Sequence, residues 1–301
     1  MRSGTVLSTV GGVYRVLLDD GDRVDASLRG RLKREKRTGS RVVAGDRVAV
    51  ARGKGDSWTV EGVSARRTEL VRAGPGGRRP KVIAANLDQV LVVVAAADPA
   101  PDAHGVDRFL VLCEVNGIPP LLVFNKMDVP GARDVVEPLE AVYGEIGYSM
   151  LETSAESGRG LEHLRAAMSG RTSAMVGPSG VGKSSLLNAL QPGLELRTRS
   201  VSRRGGRGRH TTVSARLLVL DDGMRIVDTP GFSDVNTWGV SPGDLAGAFP
   251  EFEEPAEDCR FRGCTHIHEP DCGVLRAVEE GRIDAGRFES YRRLLEESEA
   301  A

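Results

Sequence analysis

Gly177-Pro178-Ser179-Gly180-Val181-Gly182-Lys183-Ser184 carries the spacing G-x-x-x-x-G-K-S, a loop built to hold phosphates. Its successive backbone N–H groups, followed by a helix N-terminus, would form an anion nest. Lys183 would reach the β and γ oxygens, the Ser184 hydroxyl would coordinate Mg²⁺, and Ser185 would extend the nucleotide-binding run. A second phrase, Asn125-Lys126-Met127-Asp128, has the chemistry to read a base. The Asp128 carboxylate can accept two hydrogen bonds from the N1 and N2 groups of guanine, and adenine offers no such donor pair. Lys126 would lay its stem along the base, and Asn125 would tie the loop to the phosphate side. Thr153-Ser154-Ala155 follows, with the backbone amides of Ser154 and Ala155 placed to meet the guanine O6. Together these phrases specify GTP over ATP.

Asp228-Thr229-Pro230-Gly231 supplies the switch chemistry. Asp228 would hold Mg²⁺ through water, and the Gly231 amide would sense the γ-phosphate. Between the two phosphate-side motifs lies Arg199 to Thr212, a glycine-bearing stretch in which Thr211 or Thr212 completes the Mg²⁺ shell. Its five arginines either meet RNA phosphates or are simply solvated. Many GTPases place a water-orienting Gln directly after Asp-x-x-Gly, but Phe232 stands here and cannot orient water. Turnover alone should therefore be slow. The candidate catalytic groups are Lys183 and His210, the latter being alternatively only a switch or RNA contact.

Cys259, Cys264, His266 and Cys272 give the spacing C-x₄-C-x-H-x₅-C. Three thiolates and one imidazole suit a closed, structural zinc site with no position left for water. Disulfides are the competing reading, disfavoured in a reducing compartment with a histidine inside the cluster. His268 is the rival nitrogen ligand. Cys113 falls on an apolar helix and reads as a small buried hydrophobe.

The elements needed to position these groups are legible in outline. Five β-type stretches, Gly4–Val10, Val13–Leu18, Arg23–Ser27, Val42–Val50 and Trp58–Val63, are separated by turns such as Gly11-Gly12, Asp20-Gly21-Asp22 and Ala44-Gly45-Asp46. That density fits an OB-type β-barrel over residues 1–72. Arg29 to Arg37, with five net positive charges, is either a solvated crossover or a phosphate contact. Gly74-Pro75-Gly76-Gly77 reads as a linker. Residues 73–235 then alternate apolar strands (Gln89–Ala96, Pro120–Phe124, Arg171–Val176, Ala215–Leu220, Arg225–Val227) with helices (Val106–Val115, Val135–Ile146, Ser184–Leu190). Such a pattern predicts an α/β P-loop GTPase domain whose largely parallel sheet is covered on both faces. Residues 236–301 are polar and predict a mostly helical zinc-binding domain. The chain is therefore expected to be multi-domain.

At 301 residues, with 40 % hydrophobic and 28 % charged residues, the chain is long enough for two or three cores. Its longest apolar run, Val90 to Ala97, is far short of the roughly 20 residues of a membrane span. No signal-peptide core follows Met1, so a cytoplasmic protein without membrane contact is expected. The net charge of −1 hides a gradient. Sixteen basic residues face nine acidic ones in residues 1–72, against seven and fourteen in residues 251–301. The basic end is the one suited to a polyanion.

The base-reading phrase precedes the phosphate loop, the reverse of the ordinary order. With that permutation, Gly208-Arg209-His210-Thr211-Thr212, Asp228-Thr229-Pro230-Gly231-Phe232 and Glu269-Pro270 inside the cysteine–histidine cluster, the chain resembles the ribosome small-subunit-dependent GTPases, the RsgA/YjeQ family. The resemblance covers nearly the whole chain. It implies a circularly permuted GTPase, an OB fold for residues 1–72 and one zinc on Cys259, Cys264, His266 and Cys272. It also implies that GTP is hydrolysed to GDP during late maturation of the small ribosomal subunit, with stimulation by that subunit and contact with its rRNA. A GTP-gated RNA-binding or RNA-modification factor with little turnover is the alternative. A monomer is expected. Because Asp228–Gly231 runs directly into residues 236–301, the tail is expected to shift with the nucleotide state.

Overall fold

Alternation of inward and outward residues closes the first strands on themselves. In the computed structural model, which describes residues 1–30, 41–53, 55, 57–72, 81–192, 215–228 and 240–299, β1 (Arg2–Val10) pairs antiparallel with both β2 (Val13–Leu18) and β4 (Arg47–Arg52). Strand β3 (Arg23–Leu28) pairs antiparallel with β2 and parallel with β5 (Trp58–Val63), giving a closed barrel in the order β1-β2-β3-β5-β4. Tyr14, Val16 and Leu18 on β2, two residues apart, point into one core with Val6, Val50 and Val60. This is the expected OB-type barrel.

One strand starts later than its sequence suggests. Val42–Gly45 is not strand, because Asp46 pulls the chain into a turn. The fully buried Asp46 carboxylate accepts the Val43 N–H at 2.8 Å and two hydrogen bonds from Arg66, at 2.7 and 2.9 Å. Gly45, at φ 89°, fits there because any Cβ would lie 2.0 Å from the Ala85 carbonyl oxygen. The same turn joins the barrel to the next unit, since the Ala85 N–H donates to the Ala44 carbonyl at 3.0 Å. Two short strands that the pattern did not signal, β6 (Glu69–Arg72) and β7 (Lys81–Ala85), form an antiparallel ribbon at this joint.

The six-stranded sheet that follows has the order β10-β9-β8-β11-β13-β12. Its strands are β8 (Gln89–Ala95), β9 (Pro120–Asn125), β10 (Ser149–Glu152), β11 (Thr172–Val176), β12 (Arg216–Val219) and β13 (Arg225–Asp228). All neighbours are parallel except the β12–β13 pair. Strand β8 explains its own composition: Val90, Val92 and Val94 enter one core while Leu91, Val93 and Ala95 enter another. Helices α1 (Ala103–Val115) and α2 (Ala132–Ile146) cover the first face, through Phe109, Leu110, Val136 and Tyr143. Helices α3 (Leu161–Met168) and α4 (Lys183–Leu190) cover the second. Cys113 is fully buried in the first core, as expected of a small hydrophobe, and burial pushes its thiol pKa up.

The tail is helical: α5 (Pro242–Leu245), α6 (Glu253–Glu257), α7 (Gly273–Glu279) and α8 (Ala285–Glu299) pack around Phe249, Phe252 and Tyr291. Val111 of α1 belongs to this core as well, so the tail is docked on the flank of the sheet unit. An ion-pair cluster fixes the docking. Arg287, 2 % exposed, donates to Asp107 Oδ1 on α1 at 2.7 Å and to both Glu251 oxygens at 2.7 and 3.1 Å. Burial disfavours the guanidinium charge, but the two carboxylates more than offset it. Tyr143 of α2 donates its hydroxyl to the same Asp107 oxygen at 2.8 Å. A second pair, Arg108 with Glu297, joins α1 to α8 nearby.

Candidate nucleotide site and metal centre

Four of the chemical phrases converge because each lies at the carboxyl end of a parallel strand. The phosphate loop leaves β11, Asn125–Asp128 leaves β9, Thr153–Ala155 leaves β10 and Asp228 ends β13. Crevices outside the carboxyl ends of such strands are where ligands bind in open α/β sheets. The permuted order does not disturb this, because β11 pairs directly with β8 and β8 with β9.

The two loops template each other. Asn125, 1 % exposed, donates from Nδ2 to the Val181 carbonyl at 2.9 Å and accepts the Thr153 hydroxyl on Oδ1 at 3.3 Å. Gly182 sits at φ 99°, and a Cβ there would lie 2.2 Å from Asn125 Nδ2, so only glycine lets the loops approach this closely. Asn125 thus ties the base-reading loop to the phosphate loop. Ser154 does more than was read from it, for its hydroxyl donates to Asp128 Oδ1 at 2.5 Å and orients the candidate guanine-reading carboxylate. Lys126 extends to the Asp98 carbonyl at the exit of β8. Met127 turns away into the core on the α1–α2 face and anchors the loop instead of facing the crevice. Ala155 packs against the opposite core.

In the phosphate loop, Ser179 and Gly180 are open to solvent while Gly177 and Val181 are buried, with Pro178 half-buried. Lys183 folds back across the cradle, its Nζ donating to the Gly177 and Pro178 carbonyls at 2.6 and 2.8 Å. Burial pushes its ammonium pKa down to about 8. Phosphates at this position would restore the proton's hold, so the complex binds more protons than the free protein above that pH. Nucleotide affinity should therefore fall as pH rises past about 8, by up to about tenfold per unit, with proton uptake on binding. Calorimetry in two buffers of different ionisation enthalpy checks this; no uptake and a flat affinity between about pH 7.5 and 9 would refute it.

Ser184 is half-buried on the first turn of α4, and Ser185 is exposed beside it. Asp228 faces Arg216 across the β12–β13 register. His210, Thr211, Thr212, Gly231 and Phe232 lie outside the described residues, as do residues 31–37 of the basic stretch and the Gly74–Gly77 linker.

The four proposed zinc ligands do come together. Their ligand atoms all lie within 4.8 Å of one another. Zn–S bonds of about 2.3 Å and Zn–N bonds of about 2.0 Å make tetrahedral edges of about 3.8 Å between sulfurs and about 3.5 Å between sulfur and nitrogen. The separations are 3.8 Å for Cys259 Sγ to Cys272 Sγ, 3.5 Å for Cys259 Sγ to His266 Nδ1 and 3.4 Å for His266 Nδ1 to Cys272 Sγ. All four cysteines of the chain are free thiols, which sets the disulfide reading aside. His266 is buried and burial favours its neutral form, whereas His268 is exposed and outside the cluster. These residues could bind one zinc ion.

Sequence reasoning missed the support around them. Burial alone would raise the Glu269 carboxyl pKa, but hydrogen bonds hold it well below the usual range. The Thr265 hydroxyl and N–H donate to one of its oxygens at 2.6 and 2.7 Å, and the Ile267 and His268 N–H groups donate to the other at 3.1 and 3.3 Å. Glu269 thereby shapes the turn that presents His266. The motif Glu269-Pro270 carried that signal without its mechanism.

Residues 63–238 match the model of the RsgA GTPase family. The chain belongs to the RsgA GTPase family. It is 46 % identical over 298 residues to a protein of Gemmatimonas aurantiaca named small ribosomal subunit biogenesis GTPase RsgA, covering 98 % of this chain and 97 % of the relative. A protein of the same name from Moorella thermoacetica is 42 % identical over 294 residues, 98 % of this chain and 96 % of that relative. Among solved structures, YjeQ from Thermotoga maritima superposes with a TM-score of 0.83 at 35 % identity, covering 100 % of this chain and 99 % of that one. YloQ, described as a circularly permuted GTPase, gives 0.77 at 28 % identity, covering 100 % and 96 %. Membership of the RsgA family brings GTP hydrolysis with it, and Mg²⁺ as the companion of GTP. Among the described residues, no helix is long and apolar enough to cross a membrane.

Proposed function

We propose that GTP hydrolysis by this chain serves late maturation of the small ribosomal subunit, and that the subunit stimulates it. The observation that carries this reading is near full-length identity, at up to 46 %, to proteins named for that process. The division of labour follows the sequence units: residues 1–72 meet rRNA, 73–235 bind and hydrolyse GTP, and 236–301 form the zinc-bearing tail. Guanine is read by Asp128, with Ser154 orienting its carboxylate and Lys126 along the base. The amides of Ser154 and Ala155 face the guanine O6. Phosphates lie on the amides of residues 177–185 and on Lys183. Ser184 and Asp228, with Thr211 or Thr212, hold Mg²⁺, which supplies a counter-charge for the transferring phosphoryl group. His210 replaces the glutamine that Phe232 displaces, and the Gly231 amide senses the γ-phosphate.

The rRNA contact draws on a specific part of the basic end. On the described barrel surface Arg2, Arg15, Arg29 and Arg47 each sit beside a carboxylate. Residues 31–37, with five basic residues and one acidic, supply the densest positive charge in this reading. The protein acts as a cytoplasmic monomer. Turnover measured with purified small subunits, large subunits and bulk RNA decides the function. Stimulation confined to small subunits is expected. Stimulation by large subunits or free RNA alone would overturn the reading, and no stimulation by anything would favour a GTP-gated RNA-binding factor.

A further inference from the structure

The tail's main polar anchor is Arg287. It lands on Asp107, and Asp107 stands where the two helices flanking the base-reading loop meet. Helix α2 begins at Ala132, four residues after Asp128, and returns Tyr143 to Asp107 Oδ1 at 2.8 Å. Helix α1 begins at Ala103, four residues after the Asp98–Pro99 exit of β8. That exit holds Lys126 through the Asp98 carbonyl and lies against the phosphate loop, with Pro99 Cδ 3.5 Å from where a Cβ on Gly180 would be. Arg287 from α8 donates to the same Asp107 oxygen at 2.7 Å and stacks over the Phe249 ring, 4.5 Å from its centroid. Arg287, Asp107 and Tyr143 are each no more than 2 % exposed.

We propose that Arg287 is a positioning residue for guanine recognition: by clamping Asp107 and, through it, Tyr143, the docked tail sets the spacing of α1 and α2 and so the poise of Lys126 and Asp128. Tail docking and guanine binding are then thermodynamically linked. Whatever grips the tail changes nucleotide affinity, and nucleotide changes tail docking by the same factor. Because the lever acts on the base end, which GDP and GTP share, it shifts the affinity of both equally. Coupling through Asp228–Gly231 would instead favour one over the other. The inference rests on the reading of Asn125–Asp128 as the guanine loop.

The test measures equilibrium affinity of the full chain, zinc-loaded, for a fluorescent GDP and a fluorescent non-hydrolysable GTP analogue. Arg287→Met is expected to weaken both by about tenfold, within the range of such couplings, with their ratio unchanged. Tyr143→Phe, which removes only the hydroxyl that reaches Asp107, is expected to weaken both by about two- to threefold while keeping full zinc content and cooperative melting. Equal affinities in Tyr143→Phe and the parent, or a loss confined to the GTP analogue in either variant, would overturn the proposal. Should Arg287→Met lose zinc or fail to fold, Tyr143→Phe decides alone. Asp128→Asn separates the underlying reading: GTP affinity undiminished in that variant rejects the guanine loop itself, whatever Arg287 does.

Discussion

Cys272→Ser is expected to unfold the tail while leaving the barrel and the six-stranded sheet folded. The thiol has two positions at once, as a candidate zinc ligand and as the cap of α7, where its Sγ accepts the Leu275 N–H at 3.4 Å. Losing a cap costs about 1 kcal/mol. Losing structural zinc costs far more, since such ions supply about 10–16 kcal/mol in small zinc modules. The tail's apolar core of Phe249, Phe252, Tyr291 and their neighbours is too small to replace that. Metal analysis should find one zinc per parent chain and less than a tenth of that in the variant, and limited proteolysis should cut within 240–299. A variant that keeps one zinc and the parent's melting curve would refute the expectation. Chelation of the parent should reproduce the proteolysis pattern.

Lys183→Ala should lower GTP turnover by at least about 10²–10³-fold, the usual cost of deleting a single group that stabilises charge in the transition state. The Lys183 ammonium already lies across the cradle, on the Gly177 and Pro178 carbonyls. Stability should move little in the opposite sense, because the free protein holds the Lys183 ammonium away from water on two backbone carbonyls. The combination is diagnostic: near-parent melting with collapsed turnover and weakened GTP binding. Turnover within about tenfold of the parent would remove Lys183 from the machinery.

What could be read in the chain alone followed the range of the interactions involved. The phosphate loop is a single continuous stretch whose amides and lysine are set by local backbone, so its spacing is enough. Strand β8 announced its burial on both faces by being apolar at every position from Val90 to Ala95. The cysteine–histidine cluster was legible because a metal demands ligand types, not merely hydrophobicity. Short elements were missed: β10 has four half-exposed or exposed residues, and α3 is an eight-residue helix with Glu162, His163 and Arg165 breaking its apolar pattern. Val42–Gly45 looked like strand because Val42 and Val43 have strand propensity, and a carboxylate–guanidinium pair from Asp46 and Arg66 overrode it. The Arg287–Asp107 contact spans 180 residues and leaves no trace in either neighbourhood. Ser154's hydroxyl bond to Asp128 was hidden in the same way, across 26 residues.

The place of β8 in the sheet has a consequence for how the chain is born. Its neighbours are β9, made soon after it, and β11, which begins at Thr172. During synthesis at about 5–20 residues per second, roughly 4–16 s separate β8 from β11. For that interval the nascent chain can pair β8, β9 and β10 on one side only. The most apolar strand of the protein then presents an open hydrogen-bonding edge, the situation that invites pairing with foreign chains. A G domain in the ordinary order makes its phosphate-loop strand first, so there the waiting edge belongs to that strand and not to the counterpart of β8. Permutation thus hands the open edge of the unfinished sheet to β8 at each round of translation, a hazard of biosynthesis that the finished molecule no longer displays.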